Sequence, residues 1–217
     1  MEILLKYFTA FTPHQLQQFD ALAALYTEWN QKINVISRKD IDSLYEKHIL
    51  HCLSLAAVFD FKPGMRVVDI GCGGGFPTIP LAILYPEVSF HAVDSINKKL
   101  VVVNAVADGV GLTNVTTQHT RAEQITDRKF EVAISRAVAP LADLARWSKP
   151  LLRKAHEVVN QYTTNEKALI PAGLICLKGG DLAQEIHDSG KRPRIWEIGN
   201  LYSEPFFAEK YILQALP

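Results

Sequence analysis

One stretch limits the fold more than any other: Val67-Val68-Asp69-Ile70-Gly71-Cys72-Gly73-Gly74-Gly75-Phe76-Pro77. Arg66 to Ile70 is short, β-branched and apolar, as a buried parallel strand is. Pro77 to Leu84 follows as a helix. Between them, glycine lets the backbone turn sharply and come close to a ligand where a Cβ would collide. The helix after the loop offers free amides and the positive end of its dipole. Such a loop can hold a carboxylate or a phosphate, and the strand–loop–helix unit commits the chain to an α/β fold.

The same alternation continues downstream. Strands are expected at Val88 to Val93, Val115 to His119, Phe130 to Ser135 and Leu174 to Leu177. Helices are expected at Asn97 to Ala107, Pro140 to Leu152 and Asp181 to His187. Residues 153–168 are polar and weakly patterned, a helix tail and loop. Arg194 to Ile198 and Phe206 to Leu213 close the chain as two strands with no helix between them, so they form an antiparallel pair at one edge. The whole reads as a mostly parallel twisted sheet with helices on both faces.

Upstream of the strands the pattern is helical. Thr12 can cap a helix over 13–29, with Pro13 in its first turn and Leu16, Phe19, Leu22, Ala23 and Tyr26 along one side. After a polar loop, Asp40 can cap a second helix to about Phe59. Lys62-Pro63-Gly64 breaks the chain. This predicts an N-terminal helical extension, residues 1–62, and a main domain, residues 63–217.

Composition excludes several classes. No run of eighteen apolar residues occurs, so no membrane span is expected. Met1 to Ala10 lacks the basic start and cleavage site of a signal peptide, which points to the cytoplasm. Three cysteines without a CxxC, and seven histidines without an HExxH, predict no disulfide framework and no metal. A formal net charge of zero does not advertise nucleic-acid binding. Local basic patches remain at Arg38-Lys39, Lys98-Lys99, Arg153-Lys154 and Lys191-Arg192 with Arg194; scattered solvated charge is the plain alternative.

The ligand of the loop is the next question. Gly71 and Gly73 supply the first two positions of a GxGxxG dinucleotide fingerprint, but Phe76 stands at the third. A nicotinamide-dependent oxidoreductase is therefore the weaker alternative. Asp94, at the end of the second strand, can accept hydrogen bonds from both ribose hydroxyls of a nucleoside cofactor. Alternatively it caps the next helix. Asp69 could order the loop amides, meet a cofactor ammonium group, or serve structure alone.

Several segments together resemble one known family. Asp69 to Ile83, DIGCGGGFPTIPLAI, resembles the signature of the bacterial 16S ribosomal RNA methyltransferase G family, also called glucose-inhibited division protein B. Asn34-Val35-Ile36-Ser37 and Lys47-His48-Ile49-Leu50-His51-Cys52-Leu53 are similar to its N-terminal NLT…RHILDSL region. Val93-Asp94-Ser95 with Lys98-Lys99, Arg121-Ala122-Glu123, Ser135-Arg136-Ala137 and Leu177-Lys178-Gly179-Gly180 follow in its order. The resemblance covers roughly residues 20–190. It implies a Rossmann-like class I methyltransferase using S-adenosyl-L-methionine. The implied reaction is methylation of guanine N7, guanine-527, in the 530 loop of 16S rRNA, on free RNA or the small ribosomal subunit; the chain itself is expected to be a monomer. By motif, Gly71 and Phe76 line the cofactor's amino-acid end, with Gly73 and Gly75 in the same loop. Asp94 meets the ribose, Ala122 and Glu123 flank the adenine, and Arg136 stands at the mouth as the candidate catalytic residue. Thr78 stands where the family usually has Gly. His51-Cys52 replaces Asp-Ser, a change on the substrate face, and segment 153–170 is longer than in many members.

The residues suit that chemistry. Guanine N7 carries a free lone pair and loses no proton before attacking a sulfonium methyl. Orientation is the main requirement, and a general base is optional. After the fourth strand stands Ser135-Arg136-Ala137-Val138, not the Asn/Asp-Pro-Pro-aromatic motif associated with amino methylation. Carbon methylation would need a cysteine nucleophile. Cys176 is instead expected to be a small buried strand residue. Arg136 can meet RNA phosphate or base, or form a structural ion pair. Lys178 can meet phosphate or stay solvated. His48 is expected to be a satisfied helix histidine. A non-catalytic nucleotide- or RNA-binding module on the same fold is the third alternative.

Overall fold

A computed structural model describes residues 1–37, 39–163 and 169–216. Arg38 of the first basic patch, and positions 164–168 of the longer segment, lie outside the described residues.

Helix α1 (Glu2–Tyr7) opens the chain, where no helix was expected. Its side chains Lys6 and Tyr7 bond Glu204 at 2.7 Å each, so a contact about two hundred residues away holds it. Helix α2 (Pro13–Lys32) starts where Thr12 and Pro13 predict. Thr12 Oγ1 accepts the Gln15 amide at 3.2 Å, and Gln15 Oε1 accepts the Thr12 amide at 2.9 Å, a reciprocal cap. The single helix expected over 40–59 is three pieces in series: a 3₁₀ turn (Ile41–Ser43), a π-helix (Leu44–Leu50) and α3 (His51–Val58).

The alternating part follows the predicted order. It runs β1 (Arg66–Ile70), α4 (Thr78–Leu84), β2 (Ser89–Asp94), α5 (Asn97–Gly109), β3 (Val115–His119), β4 (Val132–Arg136), α6 (Leu141–Ser148), α7 (Ala155–Tyr162), β5 (Gly173–Gly179), α8 (Ala183–Ser189), β6 (Arg194–Glu197) and β7 (Lys210–Ala215). Most ends move by one or two residues, and three differences are larger: the helix expected to Leu152 ends at Ser148, where a 3₁₀ turn over Lys149–Leu151 follows. Residues 155–162 form a helix rather than a tail and loop. The last strand begins at Lys210, because Pro205–Phe207 makes a 3₁₀ turn first.

One seven-stranded sheet has the order β3-β2-β1-β4-β5-β7-β6. Strands β1 to β5 pair in parallel, and β7 runs antiparallel between β5 and β6. Alternate residues feed opposite faces. Val67, Val132, Ile134 and Ile175 join a cluster with Leu22, Tyr26, Leu53, Ile79 and Val103 from α2 to α5. Val68, Ile70, Ala133 and Cys176 face Leu141 and Leu144 of α6 and Leu182. The N-terminal helices thus share an apolar cluster with the sheet. Strand order reverses between β1 and β4, and in open α/β sheets such a switch point opens a crevice at the strands' carboxyl ends. No helix among the described residues is long and apolar enough to cross a membrane.

Candidate active site

The crevice is a cleft of about 440 Å³, within the range of small-molecule sites. Its walls include Gly71, Gly73, Asp94, Ala122, Glu123 and Arg136. Six predicted residues from three strand ends and one 3₁₀ turn therefore meet around one space.

The loop is stitched to β2. The Gly71 and Cys72 amides both donate to the Val93 carbonyl, at 2.8 and 3.0 Å. The next donor, the Gly73 amide, reaches Asp94 Oδ2 at 3.0 Å. Gly73 has φ +55, and a Cβ there would point into open space. The glycine thus leaves room beside the carboxylate. Asp94 is 6% exposed. Its Oδ1 accepts the Ile96 amide at 2.9 Å, just ahead of α5, and Lys99 Nζ stands 3.7 Å from Oδ2. The two alternatives for Asp94, ligand contact and local turn, are compatible. A carboxylate has about four lone-pair sites, and these backbone bonds use one on each oxygen.

Ala137 shapes the opposite wall. Its φ of 53 is left-handed, rare for a residue with a side chain. The turn lays Val138 over Gly71, where a Cβ would lie 2.6 Å from the Val138 methyls. Nothing in the sequence signals this turn. Trp147 and Ile96 also line the cleft without having been expected there, and Lys99, expected only as part of a basic patch and a family-like segment, joins them.

Three predicted cofactor residues do not line the cleft. Gly75 packs against Ile79 and Tyr26. Phe76 is buried, stacked on Tyr26 at 4.7 Å, with His48 at 5.2 Å. The Tyr26 hydroxyl donates to the Gly74 carbonyl at 2.8 Å and holds the loop from beneath. A buried ring thus fills the third position of the dinucleotide fingerprint. Asp69 lies fully buried, where its Oδ2 accepts from the Thr78 hydroxyl at 2.7 Å and amide at 3.2 Å. Thr78, the departure from the family's usual Gly, thereby ties the helix start to the strand.

Burial pushes the Asp69 carboxyl up to about 7, against the two Thr78 bonds that favour the anion. Between its unfolded value and 7 the folded state holds the extra proton, so this group makes stability fall as pH rises through that window. Asp69→Asn removes the effect. Melting curves from pH 4 to 7 should show the variant gaining on the native protein as pH rises; a constant difference would contradict the assignment.

Arg136 has no carboxylate partner within ion-pair distance among the described residues, so the structural ion pair is not its role. Its guanidinium lies 5.0 Å from the centre of the Phe76 ring and bonds His48 Nδ1 at 3.0 Å. Burial, then Arg136, pushes His48 down to about 4, so the imidazole is neutral and accepts this bond. Lys178 is neither solvated nor free: it is 9% exposed and meets Glu185 and the Ala139 carbonyl at 2.6 Å each. Cys176 is wholly buried, and burial pushes its thiol up to about 12, unsuited to a nucleophile. Among the described residues, no group of three or more His, Cys, Asp or Glu could hold a metal ion.

Comparison with known proteins agrees with the fold. Among solved structures, an S-adenosylmethionine-dependent methyltransferase from Aquifex aeolicus matches with TM-score 0.52 at 17% identity, covering 80% of this chain and 92% of that one. Fibrillarin from Aeropyrum pernix, with natively bound S-adenosyl-L-methionine, matches with TM-score 0.51 at 11% identity, covering 77% and 74%. In sequence, the ribosomal RNA small subunit methyltransferase G of Phocaeicola vulgatus is 47% identical over 98% of this chain and 97% of its own length. That of Bacteroides thetaiotaomicron is 48% identical over 98% of each. The family model described as rRNA small subunit methyltransferase G matches residues 15–168. This chain therefore belongs to the rRNA small subunit methyltransferase G family.

Proposed function

We propose that the protein moves the methyl group of S-adenosyl-L-methionine to N7 of a guanine in 16S rRNA, guanine-527 of the 530 loop. The observation that carries the cofactor assignment is the pairing of Gly73 with Asp94 at the rim of one cleft. The amide and carboxylate are joined, the glycine leaves open space, and the carboxylate keeps unused lone pairs. These suit two ribose hydroxyls. Ala122 and Glu123 would flank the adenine, and Gly71 the amino-acid end. When bound, the cofactor supplies a methyl group on a positively charged sulfur.

The chain's own part is orientation. The end of β4 supports a target that needs no deprotonation. Ser135 Oγ donates to the Ile70 carbonyl at 2.8 Å, Arg136 cannot accept a proton, and His48 Nδ1 is already engaged. Guanine N7 is a lone-pair acceptor already. In this reading residues 1–62 form a helical extension and 63–217 the methyltransferase domain, acting as a cytoplasmic monomer on 16S rRNA or the small subunit.

The test uses tritiated cofactor and small subunits from cells lacking this modification. One label at N7 of that guanine is the expected result. Label at another nucleotide would contradict the substrate. Cofactor binding without label on any RNA would leave a non-catalytic binding module instead.

A further inference from the structure

A second cleft, of about 560 Å³, opens on the other side of Arg136. It shares Arg136 and Ala137 with the first cleft. The left-handed turn at Ala137 sends Val138 over Gly71, while Arg136 reaches back to His48. The same few residues therefore wall both spaces. The π-helix and the first turn of α3 contribute Lys47, His48 and His51 to the second; the C-terminal segment contributes Phe206 and Lys210.

Two features of this cleft are unsatisfied. The first is charge. Lys47 is matched by Asp40 at 2.8 Å, and Lys178 by Glu185 at 2.6 Å. Arg136 and Lys210 have no carboxylate within ion-pair distance among the described residues. Arg136 is half-buried, and its imidazole partner is neutral. A partly desolvated cation without a counter-charge attracts an anion.

The second is a hydrogen-bonding atom. His51 is 6% exposed, and its Nε2 is buried without a partner. Burial, followed by Arg136, pushes its ring down to about 3, so it is neutral. A neutral ring holds one proton, and with that proton on Nδ1 the unpartnered Nε2 is a bare acceptor. The rings of Phe206 and Phe207 pack edge-on to it, 5.7 and 6.1 Å between centres. Phe206 is only half-buried and borders the cleft, so it is the group that yields to an entering ligand.

We infer that this second cleft receives the target guanine, with His51 Nε2 accepting a hydrogen bond from the N1–H or N2 amine, and Arg136 with Lys210 meeting the adjoining phosphates. This rests on the rRNA guanine reading above and deepens it. In guanine, N7 and O6 lie on one edge, and the N1–H and N2 donors lie across the ring. A base whose donors reach His51 can turn N7 toward the shared Arg136–Ala137 wall. Adenine held with N7 in the same place would set its N6 amine where guanine has O6, and would offer His51 only bare N1 and C2–H, so the acceptor would meet no donor. A base entering such a cleft leaves its stack, and cationic contacts to flanking phosphates hold its backbone in register.

The experiment measures kcat/KM for methyl transfer to unmodified small subunits, with melting temperature and S-adenosylhomocysteine affinity followed alongside. His51→Leu should lower kcat/KM roughly tenfold, the worth of one neutral hydrogen bond. His51→Gln, whose Oε1 can replace the acceptor, should recover most of it, with cofactor affinity unchanged in both. Equal rates in the native and leucine proteins, or glutamine no better than leucine, would overturn the assignment. Lys210→Ala probes the phosphate contact without touching a buried group. The slope of log kcat/KM against log salt should become shallower by about one phosphate contact. An unchanged slope would remove Lys210 from the site. Failure of the native protein to label the guanine would instead defeat the underlying reading.

Discussion

Replacing Asp94 with alanine should lower the affinity for S-adenosylhomocysteine about a hundredfold, given ~1.5 kcal/mol for each of two hydrogen bonds to a charged group. The carboxylate clasps the Gly73 and Ile96 amides. Its loss therefore leaves two donors unpaired and loosens the loop at the same point where the ribose would bind. Asparagine keeps one acceptor but loses the charge, and should fall between alanine and the native residue. Calorimetric titration distinguishes the outcomes. Unchanged affinity in the alanine variant would reduce Asp94 to a turn-forming residue.

Gly71→Ala should destabilise the fold by about 2–3 kcal/mol. Part comes from φ +70, which costs a residue with a Cβ about 1–2 kcal/mol. Part comes from the Cβ meeting the Val138 methyls at 2.6 Å. Val138 is 42% exposed and can move aside, which keeps the collision at the low end of the ~1–3 kcal/mol usual for overpacking. For a chain of this size the melting temperature should fall by roughly 5–10 °C. Adding Val138→Ala should recover the collision but not the backbone strain. A melting temperature equal to the native protein's would show that neither the turn nor the contact constrains position 71. Because Gly71 and Val138 both line the cleft, cofactor affinity should fall along with stability.

The order of strands and helices was legible because each buried strand is a short apolar run flanked by turn residues. Asp94 was legible for the same reason: a strand's end is where the apolar pattern stops, and β2 stops there. What escaped depends on contacts distant in sequence. Helix α1 is held by Lys6 and Tyr7 on Glu204 rather than by a side-chain cap of its own. Side-chain spacing does not specify the hydrogen-bond register that makes residues 44–50 a π-helix, yet that segment carries Lys47 and His48 to the second cleft. Phe76 reads as a cofactor contact by its place in the loop. Tyr26, fifty residues upstream, stacks on it and draws it into the core. Lys178 stands at the ligand edge of the sheet, but Glu185 on α8 neutralises it. The left-handed Ala137 follows from the close packing of Val138 on Gly71, a contact between two separate strand ends.

The most direct measurement of the cofactor assignment is a crystal structure of the protein grown with S-adenosylhomocysteine. Both ribose hydroxyls should lie within hydrogen-bond distance of Asp94, with adenine beside Ala122 and Glu123 and the amino-acid end against Gly71. Density for the nucleoside elsewhere on the sheet, with Asp94 still bonded only to Gly73 and Ile96, would contradict it.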